Sequence, residues 1–272
     1  MAPFDEKWLK ALNPDKERLA GYNLEHRIFN IDGVEVMRGG EYAGAFTLLN
    51  SRKRPDSTNM LAMLNVKYVV SLPKIESDDF ELKEIIGCAG DRKGCTEDLF
   101  TMKVYEYKNF LPRFFMTYKW AVIREPRELA STLLDKKFFP GKLALLEEEP
   151  WKNGFKETPN AALKRKSEVK VLKYKNNSME LAVRTSHRGI LVASESYYPG
   201  WRAYVDGRET KILKADYVLR AVPLEAGEHI VRFVYDPLSF KVGAVVSAAT
   251  LFTLLISGIF HARACRRQKG RV

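Results

Sequence analysis

The chain is poor in the residues that build metal centres, disulfide frameworks and catalytic dyads. It has three cysteines and four histidines in 272 residues. His26, His187, His229 and His261 are scattered and form neither a ligand pattern nor a catalytic one. Cys88 and Cys95 flank a short polar loop, Ala-Gly-Asp-Arg-Lys-Gly, that can turn back on itself. In an oxidising compartment the pair is expected to form a local disulfide; two free thiols are the alternative. A structural zinc site is disfavoured, because no second pair or nearby histidine completes four ligands. Cys265, set among arginines, reads as an idle thiol. No GxxxxGK loop is present, and Gly39-Gly40-Glu41-Tyr42-Ala43-Gly44 lacks the strand–helix frame a phosphate loop needs. Glu147, Glu148 and Glu149 cannot all face one ion, since consecutive residues point apart, so they read as a solvated edge.

Long apolar runs are equally scarce. The N-terminus, MAPFDEKWLKALNPDKERL, is charged and has no apolar core, so it does not read as a signal peptide. The exception is Val242 to Phe260, an uncharged run of about 19 residues, enough at about 1.5 Å per residue to cross the roughly 30 Å core of a bilayer. Acid is absent beyond it, while Arg263, Arg266, Arg267, Lys269 and Arg271 crowd the tail. A basic flank of this kind marks a cytoplasmic border, so the C-terminus is expected inside and the bulk outside. An outside bulk without an export signal suggests companion membrane helices, on the same polypeptide or another.

The net charge of +11 raises the question of nucleic acid. However, the charges outside the tail are interleaved with acids, and no helix-turn-helix, zinc spacing or aromatic–basic RNA motif accompanies them. Nucleic acid is therefore not expected as a partner. Anionic lipid head groups or cell-wall phosphates account for the excess charge.

What is there divides in two. Residues 1–155 mix helical and strand signals and read as an α+β domain. A weak helix opens it, with short strands near 26–37, 66–70 and 101–107. Helices are expected over 57–64 and 125–135, the latter with Pro126 suited to its first turn. Residues 150–166 are rich in Pro, Gly, Asn and charge, and a boundary is placed there. From Ser167, strands are expected at 169–174, 179–185, 189–196, 202–205, 210–213, 218–223 and 229–235, the signature of a β-sandwich over 166–238. Asp206-Gly207 is a strong hairpin signal. A transmembrane helix over 241–261 and a basic cytoplasmic tail over 262–272 complete the expected order.

Within the sandwich, Tyr197-Tyr198-Pro199-Gly200-Trp201-Arg202-Ala203-Tyr204-Val205-Asp206-Gly207 stands out. Tyr197, Tyr198, Trp201, Arg202, Tyr204 and Asp206 are the candidate glycan-contacting residues, because aromatic faces hold sugar rings and polar groups orient them. The plainer reading, a Pro-Gly turn with aromatics packed in the sandwich or at the membrane interface, is the favoured one. This phrase resembles the C-terminal region of YfhO-type bacterial membrane proteins. So do 215–222, 226–229 and 233–240, with Leu64 to Val70 and Leu111-Pro112-Arg113 upstream. The resemblance implies a branch of the GT-C-like membrane glycosyltransferases, which take a sugar from a polyprenyl-phosphate carrier and decorate cell-envelope polymers. It implies a catalytic acid in a loop after the first membrane helix, which has no counterpart here. No catalytic residue, cofactor or metal site is therefore assigned to this chain. The expected partners are the bilayer, other membrane helices, and an envelope glycan or polyprenyl-phosphate sugar. The alternative is a stand-alone glycan-binding or scaffolding module held at the cell membrane.

Overall fold

The computed structural model describes residues 58–71, 74–86, 102–135, 137–151 and 167–269. Cys88, Cys95 and the elements expected before residue 57 lie outside the described residues.

The described chain opens with a short helix α1 (Thr58–Met63) and strands β1 (Tyr68–Ser71), β2 (Phe80–Ile86) and β3 (Met102–Tyr107). These strands form an antiparallel sheet in the order β1-β3-β2. Next come β4 (Phe114–Thr117), β5 (Trp120–Val122), helix α2 (Pro126–Leu133) and β6 (Ala144–Leu146). Pro126 opens α2, where its missing N–H costs nothing, and Leu129 and Leu133 form the buried stripe one turn apart.

Eight strands follow: β7 (Ser167–Lys175), β8 (Ser178–Thr185), β9 (Gly189–Ser196), β10 (Trp201–Val205), β11 (Arg208–Thr210), β12 (Leu213–Ala215), β13 (Leu219–Leu224) and β14 (Gly227–Tyr235). They divide between a five-stranded sheet, β11-β10-β14-β8-β7, and a six-stranded sheet, β4-β9-β13-β12-β6-β5. Asp206 and Gly207, both at positive φ, close the β10–β11 hairpin, with Val205 paired to Arg208. Positive φ at both central residues is the type I′ turn, one of the two-residue turns whose twist matches the flanking strands.

Strand alternation sorts the apolar residues into two layers. Leu191 and Ala193 of β9 join Leu181, Val183, Val231 and Phe233 in the core between the two sheets. Ile190 and Val192, on the other face of β9, pack with Met60, Met63, Leu129 and Leu133 of the helices. A fully buried Leu or Ile contributes about 1.5–3 kcal/mol, so both layers contribute to holding the six-stranded sheet.

Two expectations are corrected here. The boundary at 150–166 does not divide two cores, because β4, β5 and β6, from before it, complete the six-stranded sheet. The physical reason is that β9 is apolar on both faces and needs β4 as an edge neighbour, with Phe114 to Thr117 paired to Ala193 to Ile190. The single strand expected over 210–213 is two: β11 pairs β10 in one sheet, while β12 pairs β13 in the other. The chain changes sheet between Thr210 and Leu213.

The last element, α3 (Leu238–Lys269), is a helix of 32 residues separated from β14 by Asp236 and Pro237 alone. Residues Leu238–Ile259 are long and apolar enough to cross a membrane, and none of that span is buried by the described chain. Phe240, Leu251, Phe252, Leu254 and Leu255 are all more than half exposed. Thr250 and Thr253 turn their hydroxyls back to the carbonyls of Val246 and Ala249, at 2.9 Å each. That satisfies their polar groups inside the helix, as a lipid environment demands.

Candidate membrane-proximal site

Because α3 leaves directly from β14, the end of the sandwich holding Tyr235 is the membrane-proximal end. Pairing fixes what else is there. Trp201 opposes Tyr235, Val234 opposes Ser178, and Leu219 opposes Ser196. The β7–β8 turn, the β9–β10 loop and the β12–β13 turn therefore gather around the root of the helix.

The β9–β10 loop is fastened at several points. The Tyr197 N–H donates to the Val218 carbonyl (2.6 Å), and the Asp236 N–H donates to the Gly200 carbonyl (2.7 Å). Gly200 has φ of +99°, and a Cβ there would stand 3.0 Å from both Pro237 and the Tyr235 ring, so a side chain would be both strained and crowded. Tyr197 and Tyr198 point outward, 37% and 54% exposed.

Beneath the loop lies a charged and aromatic network. The Trp201 ring covers the Arg220 guanidinium at 3.9 Å, with Phe233 at 5.5 Å. Arg220 is buried, and its Nη2 donates to Glu195 Oε2 at 3.4 Å. Its Nε and Nη1 have no hydrogen-bond partner among the described residues. Burial pulls its pKa down to about 10, which leaves it charged at neutral pH. The other carboxylate oxygen, Glu195 Oε1, accepts from the Tyr174 hydroxyl (2.7 Å) and from Arg113 Nη1 (3.3 Å). Arg113 Nη1 also donates to the Tyr174 oxygen at 2.6 Å. Burial first, and then the Glu195 charge, push the Tyr174 phenol up to about 12. Beside this network a hollow of about 390 Å³ opens between the edges of β4 and β7, lined by Asn65, Pro112, Arg113, Phe114, Val169, Val171 and Tyr174.

A second buried titratable group sits in the β12–β13 turn. Asp216 has φ of +47° and Tyr217 of +74°. The Asp216 Oδ1 accepts the Leu145 N–H at 2.8 Å, and its own N–H donates to the Leu145 carbonyl at 2.8 Å. This clasp prolongs the β6–β12 pairing, which otherwise rests on Ala215 and Leu146. Complete burial pushes the Asp216 carboxyl up to about 7.

The six candidate glycan contacts do not form one surface. Tyr197 and Tyr198 are on the proximal loop, and Trp201 faces inward over Arg220. Arg202 lies on the opposite face of β10, gripping both Glu209 carboxylate oxygens at 2.9 Å, with Asp236 at 3.8 Å. Tyr204 shares that outer face beneath Arg232 at 5.3 Å. Asp206 is at the far end, accepting the Ile230 N–H and pairing with His229 Nδ1, both at 2.8 Å. The His229 bond, followed by the Ile230 N–H, holds the Asp206 carboxyl below its usual range. Glu195 and Asp206 are thus at opposite ends of the sandwich and cannot act as an acid–base pair. Glu147 pairs with Lys214 at 2.9 Å and Glu148 with Lys211, so their charges are spent along one edge. The sequence reading missed the roles of Arg113, Tyr174 and Arg220. The available signal was Arg220 itself, a lone cation inside the apolar run Val218 to Leu224.

Residues 154–247, which span the sandwich and the first turns of α3, match the family model described as "Bacterial membrane protein YfhO". The similarity to YfhO-type membrane proteins is thereby shown. A relative named "Uncharacterized protein YfhO", from Bacillus subtilis (strain 168), is 26% identical over 180 residues. The aligned stretch covers 64% of this chain and 20% of that relative, so the chain spans about a fifth of the relative's length. No solved structure matches. The similarity to a bacterial membrane-protein family and the exposed apolar α3 together support association of the chain with a lipid bilayer.

Proposed function

We propose that this chain is the sandwich-and-anchor portion of a YfhO-like integral membrane protein that supports transfer of sugars from a polyprenyl-phosphate carrier to cell-envelope polymers. The chemistry is carried by residues outside this chain. The sandwich lies outside the cell and the basic tail beyond α3 lies in the cytoplasm, in keeping with the bias of Lys and Arg towards the inner face. The observation that supports this reading is continuity: β14 runs into α3 across Asp236 and Pro237 alone. The sandwich is therefore held at the bilayer surface, where a lipid-linked sugar is presented.

The test uses the full chain in nanodiscs, titrated with teichoic acid and with a polyprenyl-phosphate sugar. Binding of either without release of product is the expected outcome. Sugar transfer by this chain alone would contradict the assignment of chemistry elsewhere, and failure to bind both would contradict the supporting role. A stand-alone glycan-binding module is the second reading, favoured by the exposure of Tyr197 and Tyr198. It requires teichoic acid binding that weakens several-fold in Tyr198→Ala.

A further inference from the structure

Exposed aromatic residues are not spread evenly over the sandwich. Tyr174, Tyr197 and Tyr198 are its exposed aromatic side chains among the described residues, at 41%, 37% and 54%. All three lie at the end from which α3 departs. At the opposite end the turn tip is Asp206-Gly207-Arg208, and charged side chains surround it. A tyrosine ring has an apolar body and a polar tip, which suits the layer between hydrocarbon and water.

Position is fixed as well as composition. The Tyr197–Gly200 loop is hydrogen-bonded to Val218 and to Asp236, and Gly200 packs on Pro237, the residue before α3. The loop cannot drift from the point where the helix enters the membrane. Just past that point Leu238 and Phe240 are 73% and 75% exposed, continuing the apolar surface downward. Lys175, exposed at the β7–β8 turn, adds a cation on the same side, next to the Asn177 carbonyl that accepts from Tyr235.

From this placement we infer that the Tyr197–Tyr198 tip, with Tyr174 and Lys175 beside it, is seated in the head-group layer of the bilayer that α3 crosses. The sandwich is a docked body whose aromatic end is buried in lipid head groups. Trp201 and Arg220 then form the floor behind the seated loop and keep its backbone from collapsing into the gap between the sheets. Rings seated in this way are not free to serve as a sugar platform. The inference requires α3 to be in the bilayer and is independent of any sugar.

The test places an environment-sensitive fluorescent amino acid at one position at a time in the full chain. The chain is reconstituted in vesicles of phosphatidylethanolamine and phosphatidylglycerol. Position 198 reports the seated tip, position 208 the distal turn, and position 248 the middle of α3. The expected result at 198 is a blue-shifted emission, strong quenching by lipids spin-labelled near the head group, and an iodide quenching slope several-fold smaller than at 208. Position 248 should be quenched by lipids brominated along the acyl chain. If 248 is quenched but 198 is as open to iodide as 208, the seating is wrong and the anchor stands. If 248 is not quenched, the anchor fails and the seating fails with it. A probe at 197 repeats the measurement should the probe at 198 disturb the fold.

Discussion

The two ends of the sandwich handle charge in opposite ways. At the distal end, ions are paired at the surface, Arg188 with Glu225 at 2.7 Å and Arg184 with Glu228 at 2.5 Å, and Asp206 is hydrogen-bonded to His229 at 2.8 Å. Both members of the Arg184–Glu228 pair are more than two-thirds exposed. Such contacts are screened and contribute little beyond fixing turns. At the proximal end, Arg220 and Asp216 are buried while Tyr197 and Tyr198 are exposed. Burying a guanidinium and exposing aromatics is unfavourable against water alone. It becomes sensible where the neighbouring phase is a lipid head-group layer and the buried groups brace the loops that meet it.

The largest effect that would sharpen this contrast is expected at Arg220. Arg220→Ala removes the guanidinium from under Trp201, leaves a cavity and strips Glu195 of a partner. We expect a loss of about 3–5 kcal/mol, seen as a lowered midpoint of thermal unfolding by near-UV circular dichroism. Arg220→Met, apolar and of similar length, should recover most of that loss if the residue braces the core. Equal damage from both would make the charge itself essential.

Asp216 gives the next effect, and its sign is opposite to that of a paired surface carboxylate. The folded chain holds its proton up to about pH 7, whereas the ordinary carboxyl value is 3.8. Between these values folding takes up a proton, so stability falls as pH rises and levels off above about pH 7. The wild type should lose about 4 kcal/mol across this window from this group. Asp216→Asn keeps an acceptor for the Leu145 N–H and tolerates positive φ, so its unfolding midpoint should stay flat over the same range. Parallel pH profiles for the two chains would refute the buried, neutral acid.

At the distal end the effect should be smallest. Asp206→Ala removes the acceptor of the Ile230 N–H and puts alanine at positive φ, costing about 1 kcal/mol. Because the Asp206 carboxyl is held below its usual range, its contribution is present above about pH 4 and disappears as pH falls through its folded value. The gap between variant and wild type in thermal melts should narrow in acid, leaving the pH-independent cost of alanine at positive φ. A gap wider than that for Arg220→Ala would overturn the ranking of the two ends.

How much of this was legible in the sequence depends on how local the signal is. The strands from 167 to 235 and the Asp206-Gly207 hairpin were legible because alternation and turn chemistry act within a few residues. The membrane helix was legible from composition alone. In contrast, β5 and β6 are three residues each and are strands only because they find each other and β12. The strand Phe80–Ile86 (FELKEII) loses its alternation after Leu82, where the register against β3 shifts between Leu82 and Glu84, so period-2 patterning does not announce it. The proximal network was invisible for the same reason: Arg113, Tyr174, Glu195 and Arg220 are brought together by four separate segments, and no spacing along the chain links them. The six candidate contacts are not gathered on one surface because alternation along β10 sends Trp201 and Arg202 to opposite faces, which a reading by proximity in sequence overlooks.

The measurement that tests the central claim most directly is protease digestion of sealed spheroplasts, followed with an antibody against the sandwich. The account predicts that the sandwich is degraded from outside while an antibody against the basic tail still detects a protected fragment containing α3. A sandwich that survives until the membrane is opened would contradict it, since the proximal end would then face the cytoplasmic leaflet and the outside function would fall.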